Sequence, residues 1–342
     1  MGQKINWNIS FLRMLATLGV IYMHTNTTIL FNPQLFSLTN NQALFLRFGH
    51  EFFLWTVPVF FMITGYLLLG SERELNYSIV LRKYILRIFI ALTVFSLPFA
   101  VLKIYGETHS ISVGAIFKAY VGNESLGHLW YLYALIGLYL VAPVLKAALK
   151  KLDDRTIACF LVLMVVFEFF IPMVSNVYNI KVAFGIPLKY PVFYFVAGYY
   201  CRLLAGKEKI NMVLAKGTVV LGFLLIAALI IWGHFTFMSD NYASPLMAIL
   251  STALFLIGIR QKAVQMKEKW KGLFWKIDRL CFAVYLIHPI FIQTAYRVLK
   301  RTPVDFELYP IFTVMFFICF TILSFAFAFV IVNLPGLKKV LL

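Results

Sequence analysis

Ten stretches of about twenty mostly apolar residues constrain this chain more than any other feature. They cover roughly 9–30, 44–70, 85–105, 127–148, 156–175, 187–204, 215–238, 242–259, 277–299 and 309–333. A helix needs about 20 such residues to cross a bilayer core about 30 Å thick. Inside that core only a helix or a closed barrel satisfies its own backbone hydrogen bonds. The spacing predicts an all-α, polytopic membrane helix bundle of about ten transmembrane helices, forming one integral membrane domain over 1–342. Composition agrees: 62% of residues are apolar and 13% charged, whereas a soluble domain is nearer half apolar and a quarter charged. An ordinary soluble enzyme, a disordered chain and a disulfide scaffold are excluded. The first stretch starts late, carries Arg13 and His24 and lacks a small-residue cleavage site, so a retained helix is expected rather than a signal peptide. The segment 107–121, ETHSISVGAIFKAYV, is too polar to span and is predicted to lie along the membrane interface.

A net charge of +17 would point to nucleic acid in a soluble protein. In a membrane protein it marks loops held on the cytoplasmic side, so lipids and not nucleic acid are the expected partners. With the N-terminus cytoplasmic, more than two thirds of the 31 Lys and Arg fall on inner segments. Arg47, Lys103, Lys118, Lys181, Lys189, Arg297, Lys300 and Arg301 fall outside, and the last three run against the rule. An even number of spans returns the C-terminus to the cytoplasm. The four cysteines, Cys159, Cys201, Cys281 and Cys319, lie in or beside apolar stretches without metal-ligand spacing and read as small buried hydrophobes.

Ionisable groups at membrane depth are functional candidates by default, because lipid penalises them. Arg13 and His24 stand eleven residues apart, close to three helical turns, so they share a face about 16 Å apart. Arg13 falls near the cytoplasmic mouth and His24 deep toward the outer half, followed by Thr25, Asn26 and Thr27 as candidates to line a polar cavity. The competing reading has Arg13 reaching to headgroups and His24 as a hydrogen-bonded packing residue. In VPVFFMITGYLL, Pro58 is expected to kink the second helix and Gly65 to allow close helix approach. Arg82, Lys83 and Arg87 open the third helix. Such a cluster holds phosphates, and equally serves as a positive-inside anchor. His128 and Trp130 stand at the outer end of the fourth helix, and Tyr285 and His288 one turn apart in the ninth, beside Pro289. Glu168 reads as the one carboxylate in a clear span, with a partner the pattern does not name. His50, His109 and His234 read as loop or interface residues. No G-x-S-x-G, P-loop or metal signature occurs. The chemistry these residues allow is proton transfer by histidine, with a basic inner mouth suited to an anionic donor.

Arg13-x10-His24, FFMITGYLL (60–68), KYILRI (83–88), HLWYLYAL (128–135) and AVYLIHP (283–289) together resemble the acyltransferase-3 family of integral membrane O-acyltransferases. The resemblance runs over nearly the whole chain. It is nearest to the compact surface-polysaccharide O-acetyltransferases, which carry no fused extracytoplasmic domain. It implies acetyl-CoA as cytoplasmic donor, a hydroxyl of a cell-surface glycan or its precursor as acceptor, a place in the plasma membrane, and no metal. It also implies that Arg13 and His24 are essential. Many members have a second arginine three residues before Arg87, where this chain has Tyr84. On this reading Arg13 and His24 are catalytic, and Arg82, Lys83 and Arg87 bind the donor. His128, Trp130, Tyr285, His288 and Glu168 attend the acceptor. The alternative is a transporter or exporter of a polysaccharide or small solute, like the membrane domains of certain serine racemases. The end of the chain at NLPGLKKVLL, with no racemase domain after it, and the lack of visible inverted repeats weigh against that.

Overall fold

The computed structural model describes residues 6–124, 126–182, 185, 186, 188–206, 211–233, 242–261, 268–334, 337 and 341. Lys4, Lys207, Lys209, His234, Lys338 and Lys339 lie outside the described residues. Among those described there is no strand; the protein is all helix. In chain order the α-helices are α1 (Trp7–Leu30), α2 (Asn40–Glu51), α3 (Thr56–Leu68), α4 (Tyr77–Ile79), α5 (Leu86–Thr108), α6 (Val113–Val121) and α7 (Trp130–Leu149). They continue as α8 (Asp154–Met164), α9 (Ile171–Tyr178), α10 (Tyr190–Ala205), α11 (Met212–Ile231), α12 (Pro245–Arg260), α13 (Glu268–Gln293) and α14 (Tyr309–Val332). Among the described residues, seven helical stretches are long and apolar enough to cross a membrane. In α11 and α14 only 17% of the most apolar window is buried, and residues such as Val213, Leu224 and Ile322 are exposed. Water would not tolerate that surface; lipid does.

Several boundaries differ from expectation. The predicted span 44–70 is one helical stretch, Asn40–Leu68, in which α2 and α3 are joined by a tightened turn at 52–55 held by i→i−3 hydrogen bonds. That turn is FFLW, so an apolar average runs straight through it. Pro58 sits in the first turn of α3, and the carbonyl four residues before it, that of Leu54, falls in this tightened turn, where a proline denies the helix a hydrogen bond. The third helix starts early: α4, a π-helical turn at Val80–Ile85 and α5 run on without a break. The fifth is α8, a π-helical turn at Val165–Phe170 and α9. The ninth is described from Glu268, ahead of the predicted 277, so Asp278 lies within α13 and not at its first turn. The segment 107–121 contains the nine-residue α6, capped by the Ser112 side chain. A helix of that length spans about 14 Å and cannot cross a bilayer.

The chain forms two compact units, 1–71 with 152–328, and 72–151 with 329–342. In the first, α3 lies tightly on α10. A Cβ on Gly65 would overlap the Phe195 carbonyl, and one on Gly198 the Met62 carbonyl. This is the small-residue packing by which membrane helices bring their backbones together, as expected for Gly65. In the same unit α1 and α13 run parallel. Arg13 pairs with Asp278 and His24 with His288, so numbers rise together along both helices. In the second unit, Ile116 and Ala119 of α6 pack on Ala100 and Ile104 of α5. The buried Lys146 donates to the Arg73 carbonyl at 2.7 Å. Asp153 caps α8, and hydrogen bonding from Thr156 holds its carboxyl below the usual range. Cys201 and Cys281 are buried as expected, whereas Cys159 and Cys319 are exposed on apolar helices.

Candidate functional site

The α1–α13 pair carries polar groups at two levels. At the first, Arg13 Nη1 reaches both oxygens of Asp278, at 2.8 and 2.9 Å, and the Ser10 hydroxyl donates to Asp278 Oδ2 at 2.9 Å. Asp278 is 7% exposed and the Arg13 side chain 29%. A buried carboxylate needs such company. Removing one partner of a buried pair costs about 3–5 kcal/mol, because the other is left charged and unanswered. Asp278 was not among the residues singled out from sequence. Its one visible sign is spacing: it precedes His288 by ten residues, nearly the interval between Arg13 and His24.

At the second level, ten residues on, the His24 and His288 rings lie 5.2 Å apart at 55°. Tyr285 lies on the same helix, its ring 6.2 Å from His288. His288 is buried, and its Nδ1 lies 3.1 Å from the Val284 carbonyl. A carbonyl only accepts, so this nitrogen carries the proton in a neutral ring, and Nε2 holds the lone pair. Tyr285 and His288 share one face of α13, as their spacing predicts, and His24 of α1 lies beside His288. The hydroxyls of Thr25 and Thr27 and the amide of Asn26 fold back onto the carbonyls of Ile21, Met23 and Tyr22. Thr25 and Asn26 are fully buried. Their donors are answered within the helix, while Asn26 Oδ1 is buried without a hydrogen-bond partner among the described residues.

Around this level stand residues that the sequence reading passed over. His50 is not a loop residue: it is buried on α2. Its Nδ1 lies 2.8 Å from Thr27 Oγ1. The single hydroxyl proton of Thr27 goes to the Met23 carbonyl, so His50 Nδ1 is the donor. Nε2 is then left as a buried acceptor without a hydrogen-bond partner among the described residues. His24 is near enough to act on His50 electrostatically. Phe31 meets His50 edge-to-face, and Arg47 lies over the Phe31 ring, 5.0 Å from its centre. Arg47 in turn pairs with the buried Glu51 at 3.3 Å. Glu51 and Asp278 correct the expectation that Glu168 is the only carboxylate in a span. Polar residues inside an apolar window are visible in sequence, but their mutual contacts are not.

Glu168 has a local account. It lies in the π-helical turn Val165–Phe170, and its Oε1 accepts from the Tyr190 backbone N–H at 3.1 Å. A carboxylate there meets the positive end of α10; the partner that the sequence left unnamed is that helix N-terminus. The remaining predicted residues belong to the second unit. Arg82 and Lys83 are exposed on the π-helical turn before α5, and Arg87 is half-buried on the first turn of α5. Lys83 Nζ lies 5.8 Å from the Tyr84 ring centre, and Tyr84 packs on Tyr139. His128 lies on a 3₁₀ turn leading into α7, which Trp130 starts; both are half-buried. His109 is exposed at the left-handed end of α5. Among the described residues no group of three His, Cys, Asp or Glu is placed to hold a metal ion.

Residues 6–333 match the family model described as an acyltransferase domain. No curated protein and no solved structure matches the chain.

Proposed function

The chain belongs to this acyltransferase family and is a multi-pass membrane acyltransferase, and from that premise we propose that it moves an acetyl or similar acyl group from acyl-CoA to a hydroxyl of a cell-surface glycan or its precursor, at the plasma membrane. The observation that carries this reading is the two-level α1–α13 pair. A guanidinium stands at one level and an imidazole pair at the other. Eleven residues of helix separate them by about 16 Å. Coenzyme A keeps its phosphates and its thioester at opposite ends of a long arm, so a donor held by its phosphates near Arg13 reaches toward the histidines with its acyl group.

His24 is the general base. An imidazole with a reference pKa of about 6.5 is mostly neutral at pH 7 and takes a hydroxyl proton. The acceptor oxygen attacks the thioester carbonyl while its proton passes to His24. The tetrahedral oxyanion collapses, the C–S bond breaks, and the departing thiolate recovers the proton. The acceptor gains an ester, and free CoA leaves. Arg13, Arg82, Lys83 and Arg87 answer the donor's phosphates, while His128, Trp130, Tyr285 and His288 attend the acceptor. Glu168 serves that site through α10, whose N-terminus it holds.

The test measures acetyl-CoA binding and acetyl transfer on the purified protein and on His24→Ala, in detergent or nanodiscs. His24→Ala is expected to bind the donor and to lose transfer by about 10²–10⁴-fold. Wild-type transfer by that variant would overturn the role of His24. A wild-type protein that moves a solute and never transfers an acyl group would replace this reading with the carrier.

A further inference from the structure

We propose that Asp278 is a positioning residue for the acyl donor: by gripping one nitrogen of Arg13, it presents the other edge of the guanidinium to the donor's phosphates. This rests on the acyl-CoA reading above. The geometry of the grip is the argument. Arg13 Nη1 alone bridges both carboxylate oxygens. The usual fork, in which two parallel N–H groups meet two oxygens, is not used. Nη2 and Nε make no hydrogen bond among the described residues, and the side chain is 29% exposed. A guanidinium has five N–H donors in one plane, so fixing Nη1 fixes where the Nε–Nη2 edge points. That edge has the geometry that phosphate accepts bidentately.

Asp278 is itself held. Its Oδ2 takes the Ser10 hydroxyl, one turn before Arg13 on the same helix. The neighbouring Arg279 stacks over Trp275, at 4.5 Å from the ring centre. A phosphate would not displace the carboxylate, because Asp278 would then be a buried anion with the Ser10 hydroxyl as its remaining partner. The donor therefore adds to the Arg13–Asp278 pair and does not replace half of it. The competing possibility is that Asp278 merely cancels the charge of Arg13 and clamps α1 to α13.

The full-length protein in nanodiscs separates these by calorimetric titration with two probes: acetyl-CoA, and acetyl-pantetheine, which keeps the thioester and lacks the phosphates. In Asp278→Asn the Kd for acetyl-CoA should rise about tenfold, a step of one decade on the affinity scale, while the Kd for acetyl-pantetheine stays put. Ser10→Ala, a gentler change that leaves the ion pair, should shift the acetyl-CoA Kd in the same direction by less. It also decides the matter should Asp278→Asn not fold. An unchanged or tighter acetyl-CoA Kd overturns the proposal in favour of charge cancellation. Equal weakening for both probes overturns it in favour of a structural clamp. Failure of the wild-type protein to bind acetyl-CoA at all is a different result, and removes the acyl-CoA reading beneath it.

Discussion

Two helix seams in the same unit solve opposite problems. Where α3 meets α10, the contact is made by backbone. Gly65 faces the Phe195 carbonyl, Gly198 faces the Met62 carbonyl, and Phe61, Met62, Phe195, Val196 and Ala197 are buried around them. The one charged side chain described at this seam, Arg202, lies toward its end, donating to the Tyr66 carbonyl at 3.1 Å and stacking over the Tyr66 ring. Where α1 meets α13, the contact is made by Ser10, Arg13, His24, Asp278 and His288. In lipid there is no hydrophobic drive between helices, so close packing supplies the scaffold, and polar groups remain only where they pair or act. At Gly65 and Gly198 backbone meets backbone, whereas the α1–α13 seam admits charged and imidazole side chains, and the proposed chemistry is assigned to that seam.

The largest expected effect breaks the scaffold seam. Gly65→Val or Gly198→Val puts a β-branched side chain into a backbone carbonyl. The cost should exceed the usual overpacking range of about 1–3 kcal/mol and approach the whole stability of a protein. Size-exclusion chromatography should find little monodisperse protein; a normal elution and melting profile would refute the backbone contact. On the polar seam, His24→Ala should leave melting close to wild type while transfer falls by about 10²–10⁴-fold. Melting and turnover then part company, as they cannot at Gly65.

Arg13→Ala lies between the two. It would remove the proposed donor contact and also strands Asp278, so stability should drop by about 3–5 kcal/mol. The double variant Arg13→Met with Asp278→Leu should recover most of that stability and none of the acetyl-CoA affinity. Recovery of both would make the pair purely structural. The smallest effect is expected at Arg87→Ala, in the other unit. A single charge contact from a half-buried, still hydrated guanidinium is taken at about 1 kcal/mol, so donor Kd should weaken by about fivefold with expression intact. An unchanged Kd would remove Arg87 from the donor site.

The turn at 52–55 shows where local reading stops. Hydropathy carries one helix through Phe52, Phe53, Leu54 and Trp55, because none of them is a breaker. The hydrogen bonding tightens to i→i−3 there, and His50 and Glu51 are buried at the end of α2. An interface position for His50 was the natural reading of a histidine near a presumed helix end. Its tautomer became legible only through Thr27, which lies 23 residues away. Arg13 and His24 were legible because both sit on one helix, where a period of 3.6 residues settles who shares a face. Tyr285 and His288 were legible for the same reason.

What the sequence alone determined is the class of the molecule: helical, lipid-facing and without need of strands, since apolar runs and backbone self-satisfaction are local properties of about twenty residues. It also placed Arg13 and His24 three turns apart and Gly65 at a close crossing. The tertiary structure decided the partners. Asp278 meets Arg13 across 265 positions, and His288 meets His24. Glu168 meets the start of α10. A charge in an apolar helix shows in sequence that it must be answered. Which group answers it depends on how helices far apart in the chain are brought side by side, and that is set by packing, not by any local period.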